Sequence, residues 1–125
     1  DRDMANMIFE TPNLIEPGFR PLSLEEHTKY GFIDVFGYDS NNVLLVIECK
    51  RYVAGPSAVS QLRRYVEKVK IVKGVEKVRG MIVAPRISPK AEVMINDFGF
   101  EFKQLEPPSY FENEKCKQFR LDDFE

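Results

Sequence analysis

The sequence is short of the residues on which several kinds of site depend. It has one histidine, His27, and two cysteines, Cys49 and Cys116. A single histidine excludes metal sites built on several histidines, and no nearby serine or cysteine arrangement indicates a catalytic triad. Two cysteines, one of them in a polar tail, form neither a disulfide framework nor a metal-ligand spacing, so we expect a reduced, intracellular and cytoplasmic protein.

Long apolar runs are also missing. No stretch approaches the roughly 20 apolar residues that span a bilayer, and no signal peptide opens the chain, so we expect no membrane partner. The 125 residues suffice for one domain with a hydrophobic core. Because the sequence starts at Asp1 without a methionine, inside a pattern typical of a helix, we expect a further domain upstream.

Positive charge is unevenly distributed along the chain. The formal net charge of -2 neither favours nor excludes nucleic acid, so the distribution matters more than the sum. Between positions 50 and 79 only Glu67 and Glu76 oppose a run of basic residues. The basic residues are Lys50, Arg51, Arg63, Arg64, Lys68, Lys70, Lys73, Lys77 and Arg79.

Two short segments carry the candidate chemistry. The first is Gly31-Phe32-Ile33-Asp34, and the second is Val46-Ile47-Glu48-Cys49-Lys50. Side chains alternate along a strand, so Glu48 and Lys50 share one face. A surface salt bridge produces the same pair, so this triplet alone does not establish a site.

The spacing of the two segments predicts how they meet. If residues 40–42 form a three-residue turn, Asp39 pairs with Val43. Counting back along both strands then places Asp34 directly opposite Glu48, with Cβ atoms about 5 Å apart. Two carboxylates that close repel each other unless they share a cation or a proton. We therefore predict a metal site with Mg²⁺ as the ion.

Hydrophobic periodicity and turn residues predict an α/β domain with the element order αβββαβαβ. The third strand is apolar on both faces, which is typical of the middle of a sheet. Helical crossovers predict that the later strands run parallel to it, in a mixed sheet with helices on both faces. The expected elements are a helix over residues 1–10, strands over 19–24, 31–38 and 43–50, a helix that Ser57 caps with the apolar stripe Val59, Leu62, Val66 and Val69, a strand over 78–84, a helix from Ser88 to Phe98, and a strand over 101–105.

The acids and the lysine also resemble a known motif. An acid on one strand, followed by an acid, one residue and a lysine on the next, resembles the PD-(D/E)XK nuclease motif. Four longer segments are similar to the C-terminal nuclease domain of the archaeal EndoMS/NucS mismatch endonucleases, which implies a restriction-endonuclease-like domain over residues 1–107. These segments are Ile15-Glu16-Pro17-Gly18-Phe19, Gly31-Phe32-Ile33-Asp34-Val35, Glu48-Cys49-Lys50-Arg51 and Val59-Ser60-Gln61-Leu62-Arg63-Arg64-Tyr65.

The resemblance implies an enzyme of DNA repair. The family cuts both strands of duplex DNA at mismatched bases, using Mg²⁺ or Mn²⁺. It acts as a homodimer with a separate N-terminal DNA-binding domain, and branched and single-stranded DNA are also described as its substrates. We therefore expect that the upstream domain missing from this chain binds DNA.

The resemblance also implies roles for particular residues. Asp34, Glu48 and the backbone carbonyl of Cys49 would bind the metal. Lys50 would orient or activate the attacking water. The family has a further glutamate on its first helix, and counting back from Ile15 places its equivalent at Asp1.

That first-helix position departs from the family pattern. Aspartate is shorter than glutamate, so Asp3 is a second candidate and Glu10 a weaker third. For each of the three, an exposed acid near a helix end is the alternative explanation.

Two helix residues match family positions beside the site. Gln61 and Tyr65 lie four residues apart, hence on one helical face. Gln61 is suited to hydrogen-bond a water or a phosphate, and Tyr65 to hydrogen-bond Lys50 or pack under the backbone. Without the family pattern, a solvated glutamine and a core tyrosine are the ordinary interpretations.

Basic residues near the motif are candidates for binding DNA. Arg51, Arg63 and Arg64 could contact phosphates on either side of the cut, through salt-sensitive contacts that carry no sequence information. A solvated helix face is the alternative, and His27 has no assigned role.

The last residues predict a partner protein. Residues 108–125 are polar and acidic with isolated aromatics, which is typical of a flexible tail. Within them Gln118, Leu121 and Phe124 have the Q-x-x-L-x-x-F spacing that resembles the peptide by which replication enzymes bind the sliding clamp PCNA. A helical turn would place Leu121 and Phe124 on one side, although so short a motif also occurs by chance.

The sequence leaves three functions open. The first is a Mg²⁺-dependent endonuclease for mismatched duplex DNA. The second is a nuclease of the same fold that acts on branched or single-stranded DNA. The third is a catalytically inactive module that binds DNA or the clamp, against which the intact Asp34, Glu48 and Lys50 argue.

Overall fold

The computed structural model describes residues 1–22 and 33–109. Within them the predicted element order is preserved, with two short strands in addition. The elements are α1 (Arg2–Glu10), a 3-10 turn (Pro12–Leu14), β1 (Arg20–Pro21), β2 (Val35–Tyr38), β3 (Leu44–Cys49), β4 (Val53–Ala54), α2 (Pro56–Lys73), β5 (Val78–Ala84), β6 (Arg86–Ile87), α3 (Pro89–Phe98) and β7 (Glu101–Gln104).

The described strands form a mixed sheet of five with the order β1-β2-β3-β5-β7. β1, β2 and β3 are an antiparallel meander, whereas β5 and β7 run parallel to β3. The helices α2 and α3 provide the crossovers that parallel neighbours require. The additional strands β4 and β6 pair in parallel as a separate two-stranded sheet.

Helices cover both faces of the sheet, as the sequence predicts. On one face α2 buries its whole predicted stripe, together with residues of α3 and the strand residues Phe36, Val46 and Ile82. On the other face α1 packs onto the alternate strand residues, among them Leu45 and Ile47. Both faces of β3 are therefore dry, and each fully buried aliphatic side chain contributes about 1.5–3 kcal/mol.

The turn between β2 and β3 sets the register that the site depends on. The Asp39 backbone N–H donates to the Val43 carbonyl at 2.8 Å, and Asn42 has the positive φ, 62°, of a residue closing a three-residue turn. Val35 then pairs with Ile47. The predicted register is confirmed, because continuing it by one residue places Asp34 opposite Glu48.

Two details differ from the sequence-based expectation. The strand predicted over residues 31–38 begins at Val35, because Asp34 lies in a bend where its carboxylate takes the N–H of Cys49. The helix α2 begins at Pro56 with Gly55 as its N-cap, so the prediction that Ser57 caps it is wrong. Proline suits the first helical position, where its fixed φ helps and its missing N–H costs nothing.

Several predictions fall on residues outside the described part of the chain. They are His27, the start of the second strand segment at residues 31–32, the end of the first strand at residues 23–24, and residues 110–125 with Gln118, Leu121 and Phe124. Among the described helices, none is both long and apolar enough to cross a bilayer.

Candidate active site

Two carboxylates meet where β2 and β3 lie side by side at the end of the central strand. The backbone N–H of Cys49 donates to Asp34 Oδ2 at 2.9 Å, which turns the Asp34 side chain toward β3. Glu48 lies on the face of the sheet that α2 covers, because Val46, two residues earlier, packs in that core. The structure therefore brings Asp34 and Glu48 together as the sequence predicts.

Glu48 is a buried acid with an unpaired oxygen. Its side chain is 5% exposed, and Oε1 has no hydrogen-bond partner among the described residues. Burial, with the Asp34 carboxylate close by, raises the pKa of Glu48 to about 7. A buried carboxylate oxygen without a donor is costly, and a bound cation is one way to offset that cost.

The start of α1 lies against this corner of the molecule. The backbone nitrogen of Asp1 is 3.3 Å from Asp34 Oδ2 and 3.0 Å from the carbonyl oxygen of Cys49. These two oxygens are among the predicted metal ligands, and both lie within 3.3 Å of the same nitrogen, so they face one point. The thiol of Cys49 is buried in the opposite core, and burial raises its pKa, so only its backbone is available here.

Lys50 stands at the open side of the acid pair. Its Nζ is 3.7 Å from Glu48 Oε2, and its side chain is 39% exposed. The backbone N–H of Lys50 donates to the Val83 carbonyl at 2.9 Å, so the central strands fix the residue's position. The lysine thus combines a fixed backbone with an ammonium that reaches solvent beside the acids.

The predicted first-helix acids have other partners in the structure. The Asp1 carboxylate caps α1, accepting from the Met4 N–H at 3.1 Å, and its other oxygen lies 3.4 Å from Arg51. Asp3 pairs with the same arginine at 3.3 Å, and Glu10 is exposed at the far end of α1. Among the described residues no group of three or more His, Cys, Asp or Glu side chains is arranged to hold a metal. The predicted side-chain ligands that the structure brings together are Asp34 and Glu48.

The two helix candidates lie on α2 and contact each other. Gln61 Nε2 donates to the hydroxyl of Tyr65 at 2.9 Å. The ring of Tyr65 packs against the core that α2 shares with β3, which is the ordinary interpretation of a tyrosine at this position. A contact between Tyr65 and Lys50 stays a prediction.

The predicted DNA-binding arginines occupy different surroundings. Arg51 lies beside the acid pair but is held by Asp1 and Asp3. Arg63 stacks over Phe98 of α3, with 4.5 Å from Cζ to the ring centroid. Both Arg63 and Arg64 line an open groove of about 640 Å³ along α2, in which Ile71 is also exposed.

The sequence pattern does not indicate the ion-pair network around Arg79. Arg79 belongs to the run of basic residues between positions 50 and 79, yet three carboxylates surround its guanidinium at the end of the sheet opposite Lys50. It binds Glu16 through two contacts of 2.7 and 2.8 Å, Glu101 through contacts of 2.7 and 2.9 Å, and Asp39 at 3.0 Å. No sequence signal links these acids, because they come from separate elements.

Comparisons with known proteins identify related sequences and structures. The model of the endonuclease NucS C-terminal domain family matches residues 1–121. The chain is 44% identical to endonuclease NucS of Pyrococcus horikoshii over 99% of its own length and 49% of that protein. Against endonuclease NucS of Methanopyrus kandleri the identity is 43%, over 99% of this chain and 47% of the relative.

Solved structures give the same result for the fold. A repair endonuclease from Pyrococcus abyssi superposes with a TM-score of 0.77 at 44% identity, over 85% of this chain and 46% of that one. An EndoMS structure in complex with double-stranded DNA superposes with a TM-score of 0.78 at 44% identity, over 86% of this chain and 44% of that one. The chain thus spans about half the length of the curated relatives it matches.

Proposed function

The chain belongs to the endonuclease NucS C-terminal domain family, and from that premise we propose that it is the catalytic domain of a metal-dependent DNA endonuclease. Its proposed substrate is duplex DNA that contains a mismatch, cut in both strands during repair. Relatives named endonuclease and a related complex with double-stranded DNA support this proposal. The observation that carries it is the buried, unpaired Glu48 oxygen beside Asp34 and Lys50.

The residues present fit a divalent ion. Asp34, Glu48 and the Cys49 carbonyl offer three hard oxygen ligands, the donor set that Mg²⁺ and Mn²⁺ prefer. The orphaned Oε1 of Glu48 supports a cation at this point, because a buried carboxylate oxygen without a donor lacks any other stabilising contact. Such an ion, when bound, supplies charge neutralisation at the phosphate and a water of lowered pKa.

The chain's own groups would do the rest. Phosphodiester hydrolysis joins a water oxygen to phosphorus and breaks one bridging P–O bond, while negative charge builds on the phosphate oxygens. Lys50 is positioned to face that charge or to orient the water, because its ammonium reaches solvent next to Glu48. Gln61 would add a hydrogen bond to the water or to a phosphate, with Tyr65 holding its amide in place.

Arginines outside the acid pair would hold the DNA backbone. Arg63 and Arg64 are exposed along the α2 groove, where phosphates of a bound duplex can reach them. Arg51 already has two carboxylate partners, so its proposed contact with a phosphate requires exchange of an ion pair.

A panel of labelled DNA substrates tests the proposed function. We expect the purified protein, with Mg²⁺ or Mn²⁺, to cut both strands of a mismatched duplex faster than the matched duplex, and EDTA to abolish cutting. Denaturing gels with each strand labelled in turn measure both cuts. Faster cutting of branched or single-stranded DNA than of the mismatched duplex would show that the substrate is that class of DNA. DNA binding without any cutting would support the inactive module instead.

We also propose that residues 110–125 bind the sliding clamp, on the motif Gln118, Leu121 and Phe124. We expect a synthetic peptide of these residues to bind PCNA, measured by fluorescence anisotropy. Replacing both Leu121 and Phe124 with alanine removes the apolar anchors and is expected to weaken binding at least about tenfold. Unchanged affinity of the double variant would exclude the motif. A homodimer and a cytoplasmic location are the remaining parts of the proposal.

A further inference from the structure

An exposed aromatic residue lies two positions after the candidate catalytic lysine. Tyr52 is 69% exposed and Val53 is 49% exposed, although both belong to the short segment between β3 and α2. Only one residue separates Tyr52 from Lys50, so their Cα atoms are at most about 7 Å apart. An exposed tyrosine therefore lies next to the proposed catalytic lysine along the backbone.

The backbone that carries this tyrosine is held from both ends. On one side the Lys50 N–H donates to the Val83 carbonyl at 2.9 Å. On the other side β4 pairs with β6, and the Ser88 N–H donates to the Ala54 carbonyl at 2.9 Å. A solvent-exposed ring on an anchored segment loses little backbone entropy when a ligand packs against it.

A basic residue lies on the small sheet that follows the tyrosine. Arg86 is the register partner of Val53 across β4 and β6. It is exposed and makes no ion pair with any residue in the described part of the chain. Val53 and Arg86 thus lie side by side at the active-site end of the sheet, and the exposed Tyr52 directly precedes Val53. We call these three residues the β4–β6 ridge.

We propose that the β4–β6 ridge binds the DNA strand next to the cut, an inference that rests on the proposed function of the acid pair. Tyr52 packs on the base and sugar of a nucleotide adjacent to the scissile phosphate, and Arg86 binds a neighbouring phosphate. Aromatic rings stack on any base, and an arginine at a phosphate adds affinity without reading sequence. The ridge therefore positions the strand, whereas the acids and Lys50 act on it.

A single-tryptophan reporter tests the contact. The chain contains no tryptophan, so Tyr52→Trp introduces one fluorophore at the ridge. Val93→Trp, on α3 at a residue that is 58% exposed, is the matched control. Both are made in the Glu48→Gln background to prevent cutting, and binding of a fluorescein-labelled duplex is followed by anisotropy. We expect duplex binding to quench the emission at position 52 and to leave that at position 93 unchanged.

Steady-state cleavage separates binding from chemistry. We expect Tyr52→Ala to raise KM about tenfold with kcat within about threefold of wild type, and Tyr52→Phe to behave as wild type, because the ring is retained. Arg86→Gln should lower the salt dependence of binding by about one phosphate contact.

The outcomes distinguish the inference from the function it rests on. Duplex binding by anisotropy with unchanged emission at position 52 would overturn the ridge and leave the nuclease proposal standing. A loss of kcat with unchanged KM in Tyr52→Ala would also overturn it. No duplex binding at all would remove both proposals.

Discussion

Glu48→Gln is expected to lower cleavage about a thousandfold and, in metal-free buffer at pH 8, to raise the free energy of unfolding by about 1–3 kcal/mol. The loss follows because an amide cannot supply the second carboxylate that the acid pair provides. The gain in stability follows because the variant has no buried negative charge at this position. The glutamine amide can also donate a hydrogen bond to the Asp34 carboxylate, the partner that Glu48 has when it is protonated.

The sign of the stability change depends on pH. Burial raises the pKa of Glu48 from 4.5 to about 7. Below the unfolded value the acid is neutral in both states and costs nothing. Between pH 4.5 and 7 the unfolded chain ionises first, so the penalty grows, and it is complete above pH 7, at roughly 3 kcal/mol for a shift of this size. The advantage of Glu48→Gln is therefore expected to vanish by about pH 4.

Urea unfolding at pH 8 and at pH 4 measures this dependence, with labelled-duplex cleavage measured on the same preparations. Glu106→Gln, at an exposed acid, is the matched control and should change neither quantity. Adding Mn²⁺ should raise the unfolding free energy of the wild type to about that of Glu48→Gln. Calorimetry should show that Glu48→Gln has lost most of the Mn²⁺ affinity of the wild type. Retained cleavage, or a variant less stable than wild type at pH 8, would contradict the assignment of Glu48.

The site could be predicted because its geometry follows from local rules. A three-residue turn at residues 40–42 sets the strand register, and alternation along β3 assigns Glu48 and Lys50 to one face. Asp34 opposite Glu48 is then a matter of counting. The stripe on α2 and the cap at Ser88 are equally local, since each depends on residues within one helix.

What escaped prediction depends on contacts between distant segments. The short strands β4 and β6 are too brief to show an alternating pattern, so the ridge that carries Tyr52 could not be seen. The N-cap of α2 at Gly55 is a local exception, because both Gly55 and Ser57 are residue types that commonly cap helices. Arg51 pairs with Asp1 and Asp3, which lie about 50 positions earlier in the sequence. A count of charges within the segment 50–79 does not include these acids, so it overestimates the free positive charge there.

Arg79→Met is expected to lower the free energy of unfolding by about 3–5 kcal/mol at pH 7, the largest stability change among the variants considered. Arg79 is 20% exposed and holds three carboxylates, one of which, Asp39, is 4% exposed. Removing the Arg79 guanidinium leaves these acids facing one another in a partly dry pocket, and an uncompensated buried charge costs about that much. The Met side chain keeps most of the aliphatic volume, so packing loss is small.

At acidic pH the difference in unfolding free energy between wild type and Arg79→Met should become smaller. Hydrogen bonds from Arg79 lower the pKa of Glu16. Burial alone would raise the pKa of Asp39, but the N–H groups of Val43 and Asn41 and the Arg79 guanidinium outweigh it, so that pKa is also lowered. Their contribution is therefore present above about pH 4.5 and is lost as pH falls through the lowered values. Arg79→Met lacks most of the stabilisation that these ionised carboxylates give the wild type, so it loses less stability in acid than the wild type does.

Urea unfolding of wild type and Arg79→Met at pH 7 and pH 3.5 checks both the size and the direction of the effect. Arg64→Met, at an exposed arginine of α2, makes the same chemical change outside the network and should stay within about 0.5 kcal/mol of wild type. Because the network lies at the end of the sheet opposite Lys50, cleavage by the folded fraction of Arg79→Met should match wild type. A deficit below about 1 kcal/mol, or one that widens in acid, would show that the three carboxylates do not depend on Arg79.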